Sequence, residues 1–70
     1  MFPLSLANTG EEAVIQRISG RPEVKQHLAD LGFVVGGKVT VINRLGENVI
    51  VNVKETRVAI SAEMAQKIMV

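Results

Sequence analysis

Alternating apolar and polar residues dominate the second half of the chain and predict two strands. Valines recur at every second position over much of Lys38 to Leu45, and again from Asn48 to Val53. A period of two is typical of strands that turn one face toward a core. The short connection between the two runs contains Gly46, which can adopt a positive φ, so the pair is predicted to form a hairpin.

A second period, close to that of an α-helix, appears in the first half. Val24, Leu28 and Leu31 follow one another at spacings of four and three, which places them on one face of a helix. Pro22 suits the first helical position and Gly32 suits a left-handed C-terminal cap, so the helix is predicted over residues 22–31.

Shorter apolar runs predict the remaining elements. Strands are expected at Glu12–Ser19, Arg57–Ile60 and Ile68–Val70, with a short edge piece at Phe2–Leu6. Ser61 is a typical N-cap residue and predicts a second short helix over residues 62–67. The sum is a mostly β domain spanning residues 1–70, arranged as a small partly open barrel of about five strands. A parallel sheet is excluded because the chain lacks the crossover helices it would need.

Composition narrows the range of functions. The chain has 70 residues, eight basic against seven acidic side chains, and only two aromatic residues, Phe2 and Phe33. A nucleic-acid-binding domain usually carries a basic stripe and aromatic side chains for stacking, so this class is disfavoured. Cysteine is absent, which excludes disulfides and thiolate chemistry. No apolar run approaches a membrane span and the first six residues do not resemble a signal peptide, so a cytoplasmic protein is expected.

The single histidine offers the only candidate metal site. Glu23, His27 and Asp30 fall on one face of the predicted helix, where two carboxylates and an imidazole could hold Fe(II) or another divalent metal. A fourth ligand is missing, because no cysteine or second histidine is available. A solvated polar helix face is therefore the preferred interpretation, and no cofactor is expected.

No arrangement of residues indicates catalysis. The serines share one histidine, and the pair Gly36-Gly37 precedes a strand rather than a helix, so it cannot form a phosphate-binding loop. The chain is not expected to be an enzyme. The size of the chain supports the same expectation. A domain this small buries only about 60% of its unfolded surface and leaves no room for a catalytic cleft between two lobes.

The segment after the first helix is the candidate partner-binding surface. Four of its five residues from 31 to 35 have large apolar side chains: Leu31, Phe33, Val34 and Val35. Part of this segment must belong to the core, and one or two of its residues are expected to contact a protein partner. Leu45, at the predicted hairpin tip, is a second candidate because a tip residue has little core within reach.

The order of these landmarks resembles the ferrous iron transport protein A (FeoA) family over nearly the whole chain. The most specific element is the helix followed by Leu31-Gly32, three residues and Gly36. The other matching segments are Pro3-Leu4-Ser5-Leu6, Gly10, Leu28-Ala29-Asp30, Val39-Thr40-Val41, Val58-Ala59-Ile60, Glu63-Met64-Ala65 and Ile68-Met69-Val70.

The resemblance implies an SH3-like barrel and a cytosolic accessory role in bacterial ferrous iron uptake. It implies one partner, the membrane permease called ferrous iron transport protein B, which carries a cytosolic GTP-binding domain. Through that partner the protein would lie at the inner membrane without being embedded in it. If the protein alters GTP turnover, a change in the partner's conformation is the preferred interpretation. The alternative is an arginine supplied in trans, for which Arg44, beside the hairpin tip, is the only candidate.

Three positions depart from the family pattern. Glu55 stands where a turn glycine is frequent, Arg44-Leu45-Gly46 replaces a tip resembling Pro-Leu-Gly, and Ser61 replaces a frequent basic residue. Two other functions stay open at this point. One is a metal-sensing domain like the SH3-like C-terminal domains of iron-dependent repressors, and the other is a small RNA- or ribosome-associated barrel. An open barrel also has edges, and the strand Ile68–Val70 is the expected place for pairing between chains.

Overall fold

The computed structural model describes all 70 residues and divides six strands between two antiparallel sheets. The strands are β1 (Glu12–Val14), β2 (Arg17–Ile18), β3 (Lys38–Leu45), β4 (Asn48–Val53), β5 (Thr56–Ser61) and β6 (Ile68–Met69). The larger sheet has the order β1-β3-β4-β5, and β2 pairs with β6. The helices are α1 (Pro22–Leu31) and α2 (Ala62–Ala65). The mostly β prediction is confirmed, although the sheets do not close into a barrel.

The core lies against one face of β3 and β4. The valines predicted to face inward are all buried: Val39, Val41, Val49, Val51 and Val53. Burying a side chain of this size stabilises the fold by about 1.5–3 kcal/mol, so this valine layer carries much of the stability.

A β-bulge in β3 changes the direction of the side chains at its end. Val41 pairs with Val51, but the next paired residue is Asn43, so Ile42 is an extra residue in the strand. A one-residue insertion moves every later side chain to the opposite face. Leu45, which an uninterrupted period of two would place on the same face as Val41, is therefore exposed, and Arg44 takes the side on which its partner Val49 is buried.

The predicted strand Glu12–Ser19 is in fact two strands. The backbone N–H of Ile15 donates to the carbonyl of Gly37 at 2.8 Å, and the N–H of Gln16 donates to the carbonyl of Met69 at 2.7 Å. The chain thus passes from the larger sheet to the smaller one between β1 and β2. A period of two cannot reveal such a change of partner, because both halves remain extended.

Helix α1 has the predicted bounds and ends at Gly32 in the left-handed conformation, with φ of 109°. The N–H of Gly32 donates to the carbonyl of Ala29 at 3.0 Å, and the N–H of Phe33 donates to the carbonyl of Leu28 at 2.9 Å. These two bonds form a Schellman motif, in which residues such as Leu28 and Phe33 often pack together. Both side chains are fully buried, so the Schellman motif places Phe33 in the core.

Helix α2 is shorter than predicted. The hydroxyl of Ser61 accepts a hydrogen bond from the N–H of Met64 at 3.1 Å, which confirms the predicted N-cap. The helix ends at Ala65 rather than Lys67. The carbonyl of Lys67 accepts a hydrogen bond from the N–H of Ser19 at 2.8 Å. Because this bond belongs to the pairing beside β2 and β6, the chain is already extended at Lys67 and the helix cannot continue to it.

Both edges of the C-terminal strand are covered. On one side β6 pairs with β2. On the other side Phe2 and Val70 exchange two backbone hydrogen bonds at 3.0 and 2.8 Å, and Pro3 bridges to Met69. The segment Phe2–Leu6 itself continues as a single 3-10 turn over Leu4–Leu6 instead of a strand. The prediction that Ile68–Val70 offers a free edge is therefore wrong.

The turn between β4 and β5 is strained. Lys54 and Glu55 both have positive φ, 50° and 63°, in a two-residue hairpin between Val53 and Thr56. Two left-handed residues in succession define a type I′ turn, which asparagine and glycine form with little cost. Residues with a Cβ are disfavoured in this conformation by about 1–2 kcal/mol each.

Replacing Glu55 by glycine is expected to stabilise the protein by about 1 kcal/mol, because relief of the left-handed strain exceeds the added entropy of the unfolded chain. Urea unfolding should show a higher midpoint with an unchanged slope. Glu55→Ala is the control, since it removes the carboxylate but keeps the Cβ, and it should not stabilise. Equal stabilisation by both variants would show that charge, not backbone strain, governs this turn.

Candidate partner-binding surface

Several large apolar side chains remain exposed after folding. They are Met1, Phe2, Leu6, Val14, Val34, Val35 and Leu45. Single exposed apolar residues are common on protein surfaces, whereas groups of them mark contact sites. The backbone hydrogen bonds show which of these residues lie on segments that are neighbours in the fold.

Val34 and Val35 begin a tight turn that precedes β3. The N–H of Gly37 donates to the carbonyl of Val34 at 2.9 Å, and Gly36 at the third position has φ of 89°. This combination is that of a type II turn, which favours glycine at its third position. Val35 occupies the corner of the turn and is 64% exposed. Such corners usually carry proline or polar residues, so a valine there is unusual.

The turn is fixed to the end of β1. The N–H of Ile15 donates to Gly37 and the N–H of Gly36 donates to the carbonyl of Ile15, both at 2.8 Å. Val14, next to Ile15, is also exposed. We call Val14, Val34 and Val35 the valine surface. Its two segments are joined by reciprocal backbone bonds, so a partner would meet a preformed surface.

The other two residues of the predicted segment belong to the interior. Phe33 is fully buried, so it supports the fold and cannot touch a partner. Leu31 is partly buried and packs against the core. The candidate surface is thereby reduced to the two valines that follow Phe33, with Val14 added from β1.

Arg44 is held by its own chain. Its guanidinium donates through Nη1 to the Thr9 hydroxyl at 3.1 Å and through Nη2 to the carbonyls of Ser5, at 3.0 Å, and Ala7. The planar fork of arginine suits several acceptors at once. These bonds fasten the segment 5–9 to the end of β3. The guanidinium is therefore engaged within the protein and not free to serve a partner's GTPase site.

Leu45 and Leu6 lie next to this arginine anchor. Leu45 follows Arg44 in β3 and is 56% exposed, while Leu6 lies between two of the carbonyls that Arg44 binds. Leu45 thus remains a candidate for partner contact. Leu45 ends β3, whereas Val14 of the valine surface pairs with Lys38 at the start of that strand, so the two locations lie at opposite ends of β3.

The candidate metal residues do not form a site. Glu23, His27 and Asp30 are all exposed on α1, and the Asp30 carboxylate accepts a hydrogen bond from Nε2 of Gln26 at 2.9 Å. No group of three histidine, cysteine, aspartate or glutamate side chains in the chain is placed to hold a metal ion.

The interior of the protein is closely packed and its polar groups are satisfied. The structure contains no cavity that could enclose a substrate, and every buried side-chain polar atom has a hydrogen-bond partner. None of its helices combines the length and the apolar character that crossing a bilayer requires.

Sequence reasoning missed Val14. In one continuous strand over residues 12–19, Val14 and Ile18 would share a side, but the break after β1 separates the two. A usable signal was the Val-Val-Gly-Gly sequence at 34–37, which fits a type II turn with an apolar corner.

Comparison with known proteins gives the same family by sequence and by structure. The family model described as the FeoA domain matches residues 2–70. An inferred Fe(2+) transport protein A of Methanocaldococcus jannaschii is 36% identical over 70 residues, which cover the whole chain and 85% of that protein.

Solved structures share the fold. The crystal structure of an iron uptake regulatory protein, FeoA, matches with a TM-score of 0.89 at 28% identity, covering 97% of this chain and 90% of that one. The FeoA of Stenotrophomonas maltophilia, solved in complex with zinc and described as an SH3 domain protein, matches with a TM-score of 0.84 at 25% identity, covering 99% and 88%.

A manganese-dependent transcriptional repressor has a TM-score of 0.85 at 22% identity, with 94% of this chain matching 38% of that protein. This likeness concerns the fold alone. The expected SH3-like architecture is confirmed by the FeoA structures. With the family model spanning residues 2–70, the chain belongs to the FeoA family.

Proposed function

We propose that this protein is a cytoplasmic accessory protein of ferrous iron uptake. In this role it binds the cytosolic GTP-binding domain of the ferrous iron permease, ferrous iron transport protein B. Family membership and the iron-transport name of its M. jannaschii relative support the uptake role.

The observation that carries the proposed contact is the exposure of Val35 at the corner of a rigid turn. Keeping a valine in water forgoes about 1.5–3 kcal/mol that burial of the side chain would contribute. A partner that covers Val35 together with Val34 and Val14 recovers part of that free energy. Because the turn is already fixed by hydrogen bonds, little ordering entropy opposes the binding.

The engagement of Arg44 supports a conformational mode of action. With its guanidinium bonded to Thr9, Ser5 and Ala7, the protein offers no free arginine at the hairpin tip for GTP hydrolysis. Any effect on GTP turnover would then arise because binding favours one conformation of the permease domain over another. Such an effect requires different affinities for the two conformations.

Calorimetric titration of the isolated permease domain, without nucleotide and with GDP or a GTP analogue, tests the proposal. Binding is expected in at least one state, with a different dissociation constant in another. Val35→Glu should weaken binding by about tenfold or more, because a carboxylate would have to lose water in an apolar contact. Leu45→Glu tests the hairpin tip, and Gln66→Glu is a control that adds the same charge at an exposed position just after α2.

Two outcomes would count against the account in different ways. Absence of heat with the unmodified protein in every nucleotide state would contradict permease binding itself. If Val35→Glu bound the permease domain with full affinity and Leu45→Glu bound it more weakly, the contact would lie at the hairpin tip and not at the valine surface.

Neither alternative function gains support from the geometry. A metal sensor needs a ligand set, and none is assembled on this surface. An RNA-binding barrel would use surface aromatic residues, but Phe33 is buried and only Phe2 is exposed. Saturable heat on adding Fe(II) alone would revive the metal-sensing function.

A further inference from the structure

Strand β5 is an open edge of the larger sheet. The sheet order places it at the end opposite β1, and its only strand partner is β4. Apart from β4, only α2 packs against it extensively. A strand in this position presents unpaired backbone groups to solvent, where they can pair with a strand from another chain.

The hairpin register shows which backbone groups are free. Val53 and Thr56 flank a two-residue turn, so they form a hydrogen-bonded pair, and such pairs alternate along the ladder. Val58 and Ile60 therefore direct their N–H and C=O groups toward β4. Arg57 and Ala59 direct theirs outward, and no other backbone hydrogen bond in the protein involves them.

The usual protections of an edge strand are lacking in β5. Proteins commonly guard such edges with proline, a bulge, several charges or a covering loop. The strand contains no proline and one charged residue, Arg57, and its register with β4 is continuous from Thr56 to Ser61. By contrast β6 is paired on both sides and β1 has only three residues.

From these observations we infer that β5 is a self-association edge that pairs antiparallel with β5 of a second copy, around a twofold axis at Ala59. The inference does not depend on the proposed permease binding. A twofold axis brings the same strand to both sides of the interface, so the sequence of β5 must be complementary to its own reverse.

The register centred on Ala59 meets this condition. Ala59 faces Ala59 of the second copy, and the two can exchange hydrogen bonds. Arg57 faces Ser61, whose N–H can donate to the carbonyl of Arg57, while the Ser61 carbonyl accepts the first bond of α2. Val58 faces Ile60 on the side that is turned to the core, which matches apolar with apolar. A register centred on Arg57 would oppose two like charges, and one centred on Val58 would place the polar side chain of Thr56 against the apolar side chain of Ile60.

Two opposite charges placed at the axis test this register. Ala59→Glu and Ala59→Arg should each dimerise about tenfold more weakly than the unmodified protein, since like charges then face each other. An equimolar mixture of the two should form a heterodimer at concentrations where neither associates alone. Ala59→Gln, with the length of glutamate but no charge, should dimerise like the unmodified protein. Sedimentation equilibrium measures all five samples, including the unmodified protein.

Amide hydrogen exchange provides an independent measurement without any substitution. The N–H groups of Arg57 and Ala59 should become more protected as protein concentration rises, while the N–H of Val58, already bonded to β4, should change little. A protein that stays monomeric at millimolar concentration would overturn the inference. Dimerisation that both charged variants leave unchanged would overturn it as well, because the contact would then lie elsewhere.

Discussion

Replacing Phe33 by alanine is expected to destabilise the protein by about 3–5 kcal/mol, the cost of truncating a fully buried phenylalanine. A domain of this length has a total stability of only about 4–10 kcal/mol, taken from about 0.05–0.15 kcal/mol per residue. The variant should therefore be unfolded or nearly so at physiological temperature. Urea unfolding followed by circular dichroism measures the loss.

The position of Phe33 explains why the effect should be so large. It is the largest fully buried side chain, and the capped end of α1 leads directly into it. Phe33→Leu keeps most of the volume and should cost about 1.5 kcal/mol or less. Val35→Ala, two residues away but exposed, should change stability by no more than about 0.5 kcal/mol. A loss below about 1 kcal/mol for Phe33→Ala would contradict the burial of this side chain.

Replacing Arg44 by methionine is expected to cost about 1–3 kcal/mol, because hydrogen bonds from a charged group to Thr9, Ser5 and Ala7 are lost together. The segment 5–9 should loosen as a consequence. Amide exchange should accelerate at Ala7 and at Gly10, whose N–H donates to the carbonyl of Val41 at 2.7 Å.

Arg44→Lys separates charge from geometry. Lysine keeps the charge but lacks the planar fork, so it should recover only part of the lost stability. Full recovery with lysine would show that charge alone holds the segment. Unchanged exchange at Ala7 and Gly10 in Arg44→Met would show that the segment does not depend on this side chain.

Local periodicity was enough to predict the elements that depend on neighbouring residues in the sequence. The alternating valines of β3 and β4 and the bounds of α1 follow from patterns of two and of three to four residues. The caps at Gly32 and Ser61 follow in the same way, since each residue type suits one backbone geometry.

Features set by distant parts of the chain could not be predicted in this way. The bulge at Ile42 turns Leu45 outward and Arg44 toward the segment 5–9, yet a single extra residue leaves no mark on local composition. The break between β1 and β2 depends on Gly37 and Met69, residues far along the chain that accept its hydrogen bonds.

The candidate surface also combines a feature that the local sequence predicts with features that it does not. The apolar density of residues 31–35 indicated a contact region, but composition could not separate Phe33, which is buried, from Val35, which is exposed. That distinction arises because the capping bonds of α1 lead Phe33 inward, and the following type II turn leads Val35 outward. Val14 belongs to the valine surface only because the end of β1 is hydrogen-bonded to this turn.

Nuclear magnetic resonance titration of the isotopically labelled protein with the isolated permease GTP-binding domain tests the central claim most directly. The account predicts saturable changes in the amide signals of Val14 and of residues 34–37, and their loss in Val35→Glu, while the signals of β4 stay in place. A spectrum that remains unchanged at saturating domain concentration, in every nucleotide state, would contradict the claim that this protein binds the permease.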